Sequence, residues 1–118
     1  MIRTLSEMET EVRSHLHGGQ GDVRIRHIFT REELKGHCRM FAVITLEPGA
    51  SIGVHTHGEE EEIYTMLSGR AVVTDGEITR EIRPGDAVLT GNGGTHSIRN
   101  DSGSPVEFMA VILLYTPS

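Results

Sequence analysis

From Cys38 to Tyr115 apolar and polar residues alternate in short runs, and glycine, proline, asparagine or aspartate interrupts the pattern between runs. A repeat of two is that of a strand whose successive side chains point to opposite faces. Cys38, Met40, Ala42, Ile44 and Leu46 alternate with Arg39, Phe41, Val43 and Thr45 until Pro48-Gly49 ends the run. The same reading predicts strands over 62–67, 70–74, 77–82, 87–89, 96–99 and 106–115, with an earlier one over 23–29. Asp75-Gly76 is the expected centre of a type I′ hairpin, which needs positive φ at both positions. Ser68-Gly69, Pro84-Gly85-Asp86, Gly91-Asn92-Gly93-Gly94 and Asp101-Ser102-Gly103 mark the other turns. Many short, closely spaced strands imply an all-β sandwich or barrel with antiparallel pairing.

The first twenty residues have a different texture. Ser6-Glu7-Met8-Glu9 has the Ser-x-x-Glu form of a capping box, and Leu5, Met8, Val12 and Leu16 recur at helical spacing before Gly18-Gly19. A short amphipathic helix is predicted there, giving an N-terminal segment over 1–22 and a single barrel over 23–118. Thr30-Arg31-Glu32-Glu33 repeats the capping form and predicts one helical turn ending at Gly36.

At 118 residues the chain suits one domain able to bury a core without staples. Eleven Lys and Arg against seventeen Asp and Glu give a formal charge of −6, which argues against nucleic acid and anionic membrane surfaces as partners. Cys38 is the only cysteine, so no internal disulfide forms, and a cytoplasmic location is expected. Met1-Ile2-Arg3-Thr4 does not open a signal peptide, and no apolar run approaches a membrane span.

His55-Thr56-His57 is predicted to be extended, so both imidazoles reach one point. Glu62 and His96 each open a strand, and together the four supply three imidazoles and a carboxylate. That donor set suits one divalent transition metal per chain, with Mn, Fe, Ni, Co, Cu and Zn all compatible, and Mn or Fe is the expectation carried forward. An ion preferring six ligands keeps two adjacent positions open for water, dioxygen or both oxygens of a carboxylate. His15-Leu16-His17 has the same spacing, but on a helix its rings point about 200° apart, so it is expected to be solvated surface. His27 and His37 are read as structural or surface.

The wider spacing carries a resemblance. Gly49, His55, His57, Glu62 and Gly69, followed by Gly85, Gly93, His96 and Asn100, resemble the two motifs of the cupin superfamily. Gly91 stands where those motifs usually have proline. The resemblance implies a double-stranded β-helix of two antiparallel sheets with a metal inside its open end. It further implies that His55, His57, Glu62 and His96 are the ligands and that Asn100 is structural. Glu59, Glu60 and Glu61 are read as a solvated loop, since charged residues rarely bury unpaired. Tyr64 and Glu60 are the candidates for catalytic roles, Tyr64 by orienting bound substrate and Glu60 as an acid or base over the mouth.

Relatives with this ligand set include oxalate oxidases and decarboxylases, dioxygenases, sugar isomerases and polyketide cupins. The leading expectation is a metal-dependent enzyme acting on a small carboxylate or diol by dioxygenase or oxidoreductase chemistry. A non-catalytic module binding a small ligand or metal is the second reading, and an oxalate decarboxylase-like lyase or sugar isomerase the third. The 106–115 strand is apolar on both faces, which predicts a homodimer.

Overall fold

The computed structural model describes residues 1–116. Ten strands follow in order: β1 (Glu9–Ser14), β2 (Asp22–Phe29), β3 (Cys38–Leu46), β4 (Ser51–His57), β5 (Glu60–Ser68), β6 (Ala71–Asp75), β7 (Ile78–Ile82), β8 (Ala87–Gly91), β9 (Gly94–Arg99) and β10 (Val106–Leu114). They form a six-stranded sheet, β1-β2-β3-β10-β5-β8, and a four-stranded sheet, β4-β9-β6-β7. Every pairing is antiparallel.

Alternation decides which face each strand buries. On β10, Val106, Phe108, Ala110 and Ile112 are buried, and they meet Ile44, Ala42, Met66 and Tyr64 from the flanking strands. Ile52, Val73 and Ile98 close the core from the other sheet. Asn100, fully buried after β9, donates to the carbonyls of Leu46 (2.9 Å) and Ser104 (2.8 Å) and accepts from Ser102 N and Oγ. A buried amide satisfied on all sides pins a loop, which is the structural role the resemblance implies.

Three expectations are corrected. The N-terminal helix does not form: 3-10 turns at Leu5–Glu7 and Leu16–Gly18 flank β1, which pairs with β2 from Glu9↔His27 to Ser14↔Asp22. A free sheet edge offers a full ladder of backbone partners, whereas the helical stripe had little to bury against, and Leu5 and Val12 remain exposed. The segment before His55, which has no strand among the predicted ones, forms the first part of β4. The β6–β7 loop is Gly76-Glu77 with Asp75 paired to Ile78, and Gly76 alone has positive φ (+62°), the sign pattern of a type II′ turn. The turn after Thr30 is present, with Glu33 Oε1 accepting from Thr30 N at 2.7 Å.

Candidate metal centre

β4 and β9 run antiparallel with His55 opposite His96, and His57 lies two residues along β4 on the same face. Glu62 comes from the other sheet, on β5, opposite Thr90 and Ile112. The site therefore spans the two sheets at one end of the barrel. His57, Glu62 and His96 are buried and His55 partly so.

The four donors converge. His96 Nε2 lies 2.9 Å from His55 Nε2 and 3.0 Å from His57 Nε2. Glu62 Oε1 lies 2.9 Å from His57 Nε2, 3.0 Å from His96 Nε2 and 3.8 Å from His55 Nε2. Donors at right angles around an ion at about 2.1 Å are about 3.0 Å apart, so this set could hold a divalent ion. The outer nitrogens agree. His55 Nδ1 donates to the Gly53 carbonyl at 2.8 Å, and His57 Nδ1 to Glu60 Oε2 at 2.5 Å. These bonds place the proton on Nδ1 and leave the Nε2 lone pair facing the centre. His96 Nδ1 is buried without a partner among the described residues; stacking on Tyr64 at 4.7 Å between ring centroids orients that imidazole.

Charge follows the same geometry. Burial pushes the Glu62 carboxyl up, yet hydrogen bonds to His55, His57 and His96 outweigh it and hold the pKa well below the carboxylate range. The Glu62 hydrogen bond raises His57, whereas burial lowers His96. Burial, then the Glu62 charge, pushes the Tyr64 phenol well above its ordinary value, so it stays protonated at neutral pH.

Glu60 is not part of a solvated loop. It opens β5, and its carboxylate accepts from Arg39 Nε (2.8 Å) and Nη2 (2.9 Å) while receiving His57 Nδ1–H. Both of its oxygens are thus engaged, and Glu60 is not among the residues lining the cavity beside the centre. Glu61 accepts from the Tyr115 hydroxyl at 3.3 Å. Gly91 has a local reason: a Cβ there would lie 2.5 Å from Glu61 Cβ and 2.6 Å from the Tyr115 hydroxyl, so no proline fits.

His17 was missed. Without the helix, the turn after β1 lays its ring on His55, centroids 4.1 Å apart and planes 11° from parallel. Partial burial, then the neighbouring His55, holds His17 below the ordinary histidine pKa. No spacing rule relates residue 17 to residue 55; only the pairing of β1 brings them together. His15 keeps the surface role, with Nδ1 at 3.1 Å from the Gly19 carbonyl, and His27 pairs with Glu11 on the exposed side. A cavity of about 250 Å³ opens onto the centre, lined by His55, His57, Glu62 and Tyr64 and by Arg13, His17 and Arg39.

Residues 42–112 match the cupin domain family, and the chain belongs to that family. It is 39% identical over 114 residues to an oxalate-binding protein of Thermotoga maritima, covering 97% of this chain and 94% of that one. A crystal structure from T. maritima, described as a predicted oxalate decarboxylase, superposes with a TM-score of 0.91 at 38% identity, over 97% of this chain and 99% of that one. A polyketide cyclase from Streptomyces resistomycificus shares the fold, with a TM-score of 0.77 at 20% identity over 100% of this chain and 87% of that one.

Proposed function

We propose that the chain holds one divalent metal, Mn or Fe first, through His55, His57, Glu62 and His96, and binds a small carboxylate or diol there for dioxygenase or oxidoreductase chemistry. The observation that carries this is four donors within 4.8 Å of one another, three of which, His55, His57 and Glu62, line a small cavity. The ion would act as Lewis acid and template, with the substrate's two oxygens at adjacent positions. The chain's own residues have separable tasks. Glu60 and Arg39 fix the His57 ring, Tyr64 stacks on His96 and presents a protonated phenol beside Glu62, and Met40, Ile52 and Ile112 exclude water.

A second reading is binding without turnover. It is favoured by the oxalate-binding name of the 39% identical relative and by the engagement of Glu60, which leaves no free carboxylate poised as acid or base among the residues lining the cavity. The test is to load the protein separately with iron(II) and manganese(II) and follow oxygen uptake and carbon dioxide release with oxalate, an α-keto acid and catechol. Oxygen uptake with iron supports the first reading. Binding without either gas signal supports the second, and carbon dioxide release from oxalate without net oxygen uptake restores a decarboxylase.

The proposal extends to assembly. Phe41, Ile63, Met109, Val111 and Leu113 make a contiguous, half-buried apolar strip on the outer face of the larger sheet, which supports a homodimer across it. Light scattering at micromolar concentration is expected to give twice the chain mass, and a monomer would refute it.

A further inference from the structure

Part of the cavity wall comes from outside the paired motifs: Arg13 from β1, and Leu16 and His17 from the turn that follows. Backbone contacts hold this wall on the barrel. Ser51 N donates to the Gln20 carbonyl at 2.9 Å, and Gln20 N to Ser51 Oγ at 2.8 Å. Gly19 and Gly53 let the two segments touch directly: a Cβ at Gly19 would lie 2.2 Å from Ser51 O, and one at Gly53 2.0 Å from His17 O.

The wall also carries the cavity's one uncommitted guanidinium. Two arginines line the space, and the charge of Arg39 is taken up by the two-point bond to Glu60. Arg13 pairs with no carboxylate among the described residues, and its charge is near enough to act on His17. With a divalent ion on the four donors, the Glu62 carboxylate cancels one of the ion's two charges. The remaining positive charge and that of Arg13 then face one cavity too small for a large ligand.

We propose that Arg13 is the specificity-determining residue of this pocket and selects a small dianion, a short dicarboxylate with two oxygens toward the metal-binding residues and the rest toward the guanidinium, over a neutral diol. This rests on the metal-centred binding proposed above and narrows its ligand class. A guanidinium matches a carboxylate in shape as well as charge, and it gains less from an uncharged diol, which offers no opposite charge. Because Arg13 is exposed, the selection is sensitive to ionic strength.

The experiment is calorimetric titration of manganese-loaded protein with oxalate and with catechol, which is uncharged at neutral pH, using wild type, Arg13→Gln and Arg13→Lys. Manganese content and melting temperature are measured on each preparation. The expected result is an oxalate Kd about tenfold to a hundredfold weaker in Arg13→Gln, with partial recovery in Arg13→Lys, since bonds to a charged group are strong. Catechol affinity and manganese content stay within about twofold of wild type, as expected of a contact confined to the anion. Added salt weakens oxalate binding in wild type more than in Arg13→Gln. Unchanged oxalate affinity in Arg13→Gln, or an equal loss for catechol, overturns the inference and leaves metal-centred binding standing. A wild type that loads manganese and binds neither probe overturns both, as does one that takes up no metal.

Discussion

His57 is held from both ends, by the centre at Nε2 and by Glu60 at Nδ1, with Glu60 in turn fixed by Arg39. Removing the Glu60 charge leaves every proposed ligand in place but frees the ring and strands a guanidinium. Glu60→Gln is therefore expected to lower metal affinity about tenfold to a hundredfold, the usual effect of losing such an outer partner. Competition with a chelator measures it. Glu62→Gln is more damaging, because it removes the only negative charge among the four donors. Tyr64→Phe keeps the stack on His96 and loses the phenol, so under the proposed oxidoreductase reading oxygen uptake is expected to fall while metal content, measured by elemental analysis, holds. Acid opposes metal uptake. The Glu62 bond raises His57 in the metal-free protein, so protons compete with the ion at that ring, and affinity is expected to fall as pH drops through the histidine range.

At the scale of elements, two contacts with different physics fasten the N-terminal segment beyond the β1–β2 ladder. One is the glycine contact of the His15–Gly19 turn on β4. Gly53→Ala puts a methyl group into the His17 carbonyl, backbone against backbone, and is expected to destabilise by about 1–3 kcal/mol in urea unfolding. The other is ionic: Arg3 forms a two-point bond with Glu33, which also caps the Thr30 turn. The Arg3 hydrogen bond, with the Thr30 backbone N–H next, lowers the Glu33 carboxyl from its ordinary value to about 2. A depressed carboxylate pKa stabilises the fold above the unfolded value, and that contribution is lost as pH falls toward the folded one. The melting-temperature gap between wild type and Glu33→Gln is thus expected to be full at pH 6 and to close between about 4.5 and 2.

For the whole molecule, the centre joins the two sheets, since His55, His57 and His96 stand on one and Glu62 on the other. An ion bound only in the folded state stabilises by mass action, about 2.7 kcal/mol at a hundred times its Kd. For a domain of this size that is a rise in melting temperature on the order of 10 °C, reversed by chelator, and differential scanning fluorimetry reads it directly. If the four residues hold no metal, melting is indifferent to manganese and chelator alike.

The barrel was legible because its information is local. A strand with one buried face must alternate, so β3, β5 and β10 can be read from the order of Cys38–Leu46, Glu60–Ser68 and Val106–Leu114. The four candidate ligands were legible for the same reason: extended backbone puts His55 and His57 on one face, and motif spacing places Glu62 and His96 beside them. Three other features depended on contacts between residues far apart in the chain. Leu5, Met8, Val12 and Leu16 have helical spacing, but a free edge on β2 outcompeted the helix and made β1. That pairing carried Arg13 and His17 to the cavity, and no pattern in the first twenty residues refers to residue 55. Glu60 sits in a run of four glutamates that composition cannot tell apart. Only the position of Arg39 across the sheet turned one of them into the clamp on His57, because an ion pair forms where the fold brings its two partners together.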